Sequence, residues 1–281
     1  MPKKKEDLLS WAKNIDFVLN QINRFLVSSY NLHLDQTYGH PKSWDTWKIH
    51  RPAYLRDTSD GAFHKLKVPA SSTQPVTLLI GGKILQATSD LSLDVTVSGV
   101  GGLRTGLTVA SATLYYLYAV NNGGALALIA DTNDPSVGVT GYTDWSYLGG
   151  FVTLDTSAIL TDFSASHGVY LDNGYFQRVT QAGVTQTAKT IRIPKAAKAV
   201  YGVTSFQVIG AAGDRTHVSS RSTSDNNNPL IATAATAAID TFAYGWIPIL
   251  ETQTIYLGNS AAGDTARFDV IGWLEDPSEF R

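Results

Sequence analysis

The chain has 281 residues, of which 43% are hydrophobic and only 16% are charged. This low charge, together with abundant Gly, Thr, Ser and Ala, favours extended strands and tight turns over charged surface helices. The absence of cysteine excludes a disulfide-stapled scaffold, a thiolate metal site and a cysteine nucleophile.

Charge is unevenly distributed along the chain, although the net charge of −2 implies no partner by itself. Residues 1–70 contain 11 Lys and Arg against 7 Asp and Glu, whereas the remainder contains 11 against 17. A basic root on an acidic body is compatible with docking to an acidic surface, but a solvated lysine-rich terminus gives the same pattern. Lys3, Lys4 and Lys5 are too few to predict nucleic-acid binding.

No segment reaches the roughly 18–20 apolar residues of a membrane span, so a membrane partner is not expected. The basic residues 1–5 are not followed by an apolar segment with a small-residue cleavage site, so a secretory signal is not expected either. The sequence therefore predicts a soluble protein made in the cytoplasm.

The first predicted element is a long amphipathic helix over residues 6–34, within an N-terminal segment 1–36 that contains neither glycine nor proline in the helical interval. Its apolar side chains repeat with the heptad spacing of a coiled-coil seam. The seam residues are Leu8, Trp11, Ile15, Val18, Ile22, Phe25 and Leu32. Additional leucines widen the apolar stripe, which favours a homotrimer or docking on another protein. A helix packed on its own domain is the alternative.

Residues 37–70 are predicted to form an irregular aromatic neck or arm, because Pro41 and Pro52 interrupt any helix. Its aromatic residues include Trp44, Trp47, Tyr54 and Phe63. Aromatic side chains beside arginines are typical of interfaces, so Trp44 and Trp47 join the helix seam as candidate docking residues. A loop packed on its own domain is again the alternative.

Residues 71–175 are predicted to be all-β, because short apolar or alternating runs are separated by turn residues. The strands are expected at 76–80, 83–86, 91–97, 113–120, 125–130 and 145–154. Gly81 and Gly82 predict a hairpin turn between the first two strands. Gly149 and Gly150 are expected to break the last one.

The region 176–281 repeats this style after a boundary placed near residue 175. Its strands are expected at 175–180, 191–194, 199–209, 215–220, 244–250, 254–257 and 267–274, with 215–220 pairing with 199–209. The sequence thus predicts a mainly β fold, in which an N-terminal amphipathic α-helix precedes an antiparallel, jelly-roll-like β-sandwich body. One sandwich or two are both compatible with the pattern.

Part of the chain resembles structural and fibre proteins of tailed phages. The resembling segments are TLYYLYAV at 113–120, ALALIADTNDP at 125–135 and GYTDWSYLGGFVT at 141–153. They correspond to a tyrosine-rich strand, a strand followed by a Pro-closed loop, and an aromatic return strand. Residues 253–276 are similar to the closing strands of phage β-sandwich modules. The resemblance concerns fold style and carries no catalytic residue.

This resemblance implies a structural protein of the virion, namely a tail fibre or fibre-like appendage anchored through its N-terminal helix with a projecting β body. A capsid decoration or head-fibre protein and a module that binds host-surface glycan are the alternatives. Other tail or capsid proteins would be its partners, and a homotrimer would suit both fibre and decoration roles. This is an analogy at the level of fold.

The histidines and aspartates do not predict a metal site. The histidines are His33, His40, His50, His64, His167 and His217, and no HxH, HxxxH or HExxH spacing occurs. Asp131, Asp134, Asp144 and Asp155 lie on predicted loops, where carboxylates can bind calcium. Turn formation explains Asp in these positions without a metal. We expect neither a metal nor a cofactor.

The remaining motifs do not predict catalysis. The glycine-rich residues 99–106 match no phosphate-binding motif and predict a flexible loop. No GxSxG motif occurs, and glutamate is scarce in the β region, which lowers the expectation of a glycosidase. The many tyrosines and tryptophans could stack on sugars, but core packing is the favoured interpretation. We predict a non-enzymatic protein, in which exposure of loops 98–106 and 221–229 would favour receptor binding and their burial between subunits would favour a cementing role.

Overall fold

The regular structure of the described residues is entirely β. The computed structural model describes residues 51–154, 157–166, 168–208, 211–221, 230–233 and 242–275. Within these ranges there are strands and turns but no helix, so the mainly β prediction is confirmed. The predicted helix and residues 37–50 of the predicted neck, including Trp44 and Trp47, lie outside the described residues.

Ten strands lie in the first part of the body: β1 Tyr54–Arg56, β2 Lys65–Val68, β3 Val76–Ile80, β4 Lys83–Ala87, β5 Leu91–Asp94, β6 Leu114–Asn122, β7 Ala125–Asp131, β8 Trp145–Val152, β9 Phe163–Ser166 and β10 Val169–Asp172. Eight follow: β11 Gln177–Ala182, β12 Thr187–Thr190, β13 Ala197–Val208, β14 Arg215–Ser219, β15 Leu230–Thr233, β16 Ala243–Pro248, β17 Thr254–Asn259 and β18 Thr265–Glu275.

The strands form four antiparallel sheets. The largest has nine strands in the order β16-β13-β18-β10-β9-β1-β2-β5, with β11 also paired to β18. A four-stranded sheet has the order β12-β17-β14-β15, a three-stranded sheet the order β7-β6-β8, and β3 and β4 form a hairpin. Strands from both halves of the chain therefore share the largest sheet, which crosses the boundary expected near residue 175.

A row of side chains on one face of the large sheet forms the centre of the core. Its members lie opposite one another on six adjacent strands. They are Ile247, Val200, Trp273, Tyr170, Ala165 and Tyr54, and none is more than 6% exposed. The rings of Tyr170 and Trp273 stack with their centroids 3.8 Å apart. We call this face of the sheet the inner face.

The smaller sheets cover the inner face. The four-stranded sheet packs against β13 and β18, and the hydroxyls of Thr204 and Thr216 lie 3.3 Å apart between them. The three-stranded sheet approaches through β8, where the Tyr54 hydroxyl donates to the Gly150 carbonyl at 2.6 Å. One continuous apolar cluster joins residues of all four sheets, so these layers share a single core.

Several predicted strands are confirmed within a few residues, but others, including β1, β2, β9, β10 and β12, were not predicted. β1 and β2 lie within the neck 37–70 and are hydrogen-bonded members of the large sheet. Their alternating burial is short and is interrupted by the turn at 57–64. The periodicity signal in the sequence is weak for this reason.

Other details of the predicted strands are corrected. Strand β5 ends at Asp94 rather than at residue 97, because the Asp94 carboxylate accepts hydrogen bonds from the Thr96 amide and hydroxyl. Residues 191–194 are buried but form no strand, and the Ile191 amide donates to the Gln253 carbonyl at 2.9 Å. β14 pairs with β15 and β17, not with β13.

The two predicted glycine pairs differ in their effect on the strands. Gly81 and Gly82 form the expected turn, whereas Gly149 and Gly150 do not break their strand. Gly81 and Gly82 have φ of 57° and 74°, as a tight hairpin between β3 and β4 requires. By contrast, β8 continues through Gly149 and Gly150. A Cβ on Gly149 would lie 2.1 Å from the Tyr54 hydroxyl oxygen, so this glycine permits close approach of two sheets and does not end the strand.

We expect the substitution Trp273→Ala to lower the free energy of unfolding by about 3–5 kcal/mol, because it empties the centre of the core row. Urea denaturation followed by circular dichroism measures this change. Ile84→Ala is the matched control, since Ile84 is apolar but exposed on the β3–β4 hairpin. Equal destabilisation by the two substitutions would contradict the central position of Trp273.

Candidate interaction surface

The docking residues predicted from sequence cannot be placed against one another. Leu8, Trp11, Ile15, Val18, Ile22, Phe25, Leu32, Trp44 and Trp47 all lie outside the described residues. The described body begins at Arg51, directly after the N-terminal segment. It also carries an exposed apolar surface that the sequence did not indicate.

A buried ion pair holds the point where the chain enters the body. The Arg51 guanidinium donates to Glu275 across 2.8 Å, and the two residues are 5% and 1% exposed. Glu275 also accepts hydrogen bonds from the Tyr147 hydroxyl at 3.1 Å and from the Trp273 indole at 3.0 Å. The Arg51 guanidinium lies 4.6 Å from the centre of the Tyr147 ring.

This network joins the first described residue to the end of β18, the central strand. Burial of two charges is costly, and the cost is offset only when hydrogen bonds and close geometry accompany the pair. Glu275 has both, from three neighbouring side chains. The arrangement therefore fixes the root of the N-terminal segment to the core of the body.

We expect Glu275→Ala to destabilise the body by about 3–5 kcal/mol, because it leaves the Arg51 cation buried without its carboxylate. The double variant Arg51→Ala with Glu275→Ala is expected to be less destabilised than Glu275→Ala alone, as measured by urea unfolding. Glu251→Ala is the control, since Glu251 is exposed. Additive effects of the two substitutions would contradict the coupling.

The buried tyrosines make stability dependent on alkaline pH. Burial raises the pKa of Tyr54, Tyr147 and Tyr170 well above the ordinary 10.0, and the Glu275 charge adds to the effect at Tyr54 and Tyr147. Above pH 10 the unfolded chain therefore loses protons that the folded chain retains, so the free energy of unfolding falls as pH rises.

We expect the phenolate absorbance of these three tyrosines to appear only when the body unfolds above about pH 10. A spectrophotometric titration run beside circular dichroism tests this, with Tyr147→Phe expected to weaken the pH dependence. Full ionisation of all tyrosines while the β signal is intact would contradict the burial of their hydroxyls.

The opposite side of the large sheet, which we call the outer face, carries a second row of cross-strand neighbours. The row consists of Trp246, Tyr201, Gly272, Leu171, Ser164 and Leu55 on β16, β13, β18, β10, β9 and β1. Leu274 and Pro248 lie on the same side, two residues along their strands from Gly272 and Trp246. Trp246, Leu171, Leu274 and Pro248 are exposed.

The most exposed part of the outer face is a line of residues along β16, which we call the β16 stripe. It consists of Phe242, Tyr244, Trp246 and Pro248, and the three aromatic residues are 53%, 60% and 43% exposed. The ring of Tyr201 on β13 lies 5.2 Å from that of Trp246. Strand β16 is an edge of the sheet and pairs only with β13 among the described strands.

Polar residues border this apolar area on two sides. On one side Arg178 makes two hydrogen bonds to Asp269, at 2.6 and 3.0 Å, and Arg267 lies 3.3 Å from the same carboxylate. On the other side the row continues from Leu55 to Lys67 and Ser92. An apolar patch with a polar rim is the usual form of a protein interaction site.

Two of the four predicted loop aspartates, Asp131 and Asp134, are engaged within the fold, and Asp155 lies outside the described residues. The buried Asp131 carboxylate accepts the amides of Thr132, Asn133 and Thr140 and pairs with Arg104 at 2.9 Å. Asp134 pairs with Lys195 at 2.7 Å, and this hydrogen bond lowers the pKa of its carboxyl. Within the described ranges no group of three metal-binding side chains occurs.

The ion pair of Asp134 and Lys195 lies at a shallow cavity of about 280 Å³, which Tyr116, Pro135 and Pro194 also line. The ion pair closes the Pro135 loop onto the body and occupies the polar groups of the cavity. This is the packing role expected of a turn aspartate.

Residues 98–106 do not form the flexible loop that their glycines predicted. Gly101 and Arg104 donate their amides to the Leu128 and Ala130 carbonyls at 2.8 and 2.7 Å, and the Ala130 amide donates to Gly102 at 3.0 Å. The segment is thus bound along β7. Residues 222–229 of the second predicted loop lie outside the described residues.

His64 and His217 are the two histidines in the described part of the chain. Burial lowers the pKa of the His217 imidazole, and its ring lies against Gly258, where a Cβ would be 2.6 Å from Nε2. His217 is therefore a packing residue of β14.

No family model matches the chain, and no curated protein matches it. Among the described residues no helix is long and apolar enough to cross a membrane. The function must therefore be argued from the residues and their geometry.

Proposed function

We propose that the chain is a non-enzymatic structural protein of a tailed-phage virion, a tail fibre or fibre-like appendage with a β-sandwich body. It assembles as a homotrimer and is anchored to other virion proteins through its N-terminal segment. The observation that carries the proposal is the arrangement of the segments that resemble phage structural proteins.

These segments form adjacent parts of the body. The three pieces within 113–153 contain β6, β7 and β8, which pair with one another as a single sheet. The piece at 253–276 contains β17 and β18, and β18 pairs on both sides within the large sheet. The resemblance therefore covers strands that build the core, which supports the analogy of fold style.

The root of the N-terminal segment also suits an anchored appendage. A load applied through that segment would reach the body at Arg51, which is held by the buried Glu275 on β18.

The exposed aromatic residues of the outer face support a second candidate function, binding of a host-surface glycan. Tyr244 and Trp246 are exposed on an edge strand, and tyrosine and tryptophan combine apolar contact area with a hydrogen-bonding group. A glycan array probed with the whole chain separates this function from a purely structural one.

We expect antibodies raised against the protein to label purified tailed particles at a fixed position, as measured by immunogold electron microscopy. Labelling at the tail would support a fibre, and labelling over the capsid would support the decoration alternative. Particles without label, from preparations in which the chain is detected only as free protein, would contradict a virion role.

We also expect the full chain to have three times the mass of one copy by light scattering. The double variant Ile15→Lys with Ile22→Lys is expected to reduce this mass, because two charges then lie in the predicted seam. Lys13→Glu is the control, since it changes charge outside the seam. An unchanged mass in the double variant would contradict the seam as an assembly element.

A further inference from the structure

The large sheet leaves one apolar face without a covering layer in the described part of the chain. Its inner face is covered by the four-stranded and three-stranded sheets, whereas Trp246, Leu171 and Leu274 on the outer face are exposed. A sheet that is apolar on both faces usually has a layer on each. The question is what covers the outer face.

We propose that the β16 stripe and the neighbouring outer face form a contact between copies of this chain. This inference rests on the proposed function, because it names the body surface that acts beside the N-terminal seam in the homo-oligomer. Three features of the surface identify its occupant as a second copy.

The first feature is area. Aromatic side chains bury about 150–250 Å² each, and Phe242, Tyr244 and Trp246 are about half exposed, so together they offer on the order of 300 Å². With Leu171, Leu274 and Pro248, which are smaller, the apolar area reaches roughly 500 Å², more than half of the roughly 800 Å² per partner of a standard interface. It is therefore large enough for the apolar centre of a specific contact.

The second feature is the lack of charge. None of the stripe residues is charged, and neither are their outer-face neighbours on β13 and β10, such as Tyr201 and Leu171. A nucleic acid or a strongly charged protein would find no complementary group here. A surface of the same apolar composition is its best complement, and the other copies of a homotrimer supply one where their stripes meet about the three-fold axis.

The third feature is position at an unprotected edge. Natural edge strands are usually short, charged or covered, because their free amides and carbonyls otherwise pair with other chains. At the opposite edge of the sheet, β5 has four residues and ends at Asp94. β16 has six residues, and none of them is charged. Its free amides and carbonyls are therefore less protected from pairing with another chain than those of β5.

Tyr244→Lys and Trp246→Lys in the full chain test the contact, with Ile84→Lys as the control on an exposed apolar residue of another sheet. We expect each stripe variant to raise the concentration of half-dissociation at least tenfold in sedimentation velocity, while the control leaves it unchanged. Urea unfolding of each variant establishes that the body is folded.

The absence of native cysteine allows a test that does not depend on weakening the assembly. Tyr244→Cys is expected to give chains linked by a disulfide when the full protein is oxidised with copper phenanthroline. Ile84→Cys is expected to remain unlinked under the same conditions. Linkage of both variants to the same extent would indicate random collision and would overturn the proposal.

The remaining outcomes separate this inference from the proposed function. Oligomers that resist both lysine substitutions but dissociate in the Ile15→Lys, Ile22→Lys variant would overturn the stripe contact and leave the seam. A monomeric parent would also overturn it, and particle labelling would still decide the virion role. Loss of glycan binding in Trp246→Lys with unchanged mass would overturn it in favour of a sugar ligand.

Discussion

The pairing of β18 with strands on both of its sides is the constraint on which the body depends. It pairs with β13 on one side and with β10 and β11 on the other. Because side chains alternate along a strand, this register places Trp273 in the core and Leu274 on the outer face. A slip of one residue would exchange the two faces and would remove Glu275 from Arg51.

The register is not uniform along β18, and the irregularity has a physical reason. Between Tyr201 and Gly202 the pairing with β13 shifts, so that Ile271 has no opposite residue. A bulge of this kind bends and twists a strand. Gly202 lies at the shift, where a Cβ would be 2.4 Å from the Phe268 ring, so the absence of a side chain permits the close approach of β13 and β18.

The sequence predicted the mainly β character and most long strands of the body, because their apolar alternation and flanking turns are local signals. The hairpin of β3 and β4 is the clearest case, since Gly81 and Gly82 specify the turn. The pairing of β1 with β9, and of β10 with β18, could not be predicted. These contacts join residues far apart in the chain, and one sequence carries no signal of their register.

The β16 stripe could not be predicted from the sequence either, because its exposure depends on the order of the strands in the sheet. In sequence Tyr244 and Trp246 are ordinary members of an apolar strand. Only the structure shows that β16 is an edge among the described strands and that its outer residues are exposed in the described part of the chain. The Arg51–Glu275 pair spans 224 residues, so neither residue indicates the other. The predicted seam, by contrast, is a local periodicity, but its residues lie outside the described part of the chain.

The low charge of the chain is consistent with the exposed apolar outer face. A soluble monomer is kept apart from its copies by charge on its surface, but only 16% of these residues are charged and the outer face has none from β16 to β10 along its central row. Such a surface is costly in water and is stabilised when it is covered. The scarcity of charge along this row of the outer face therefore favours contact with a surface of the same apolar kind.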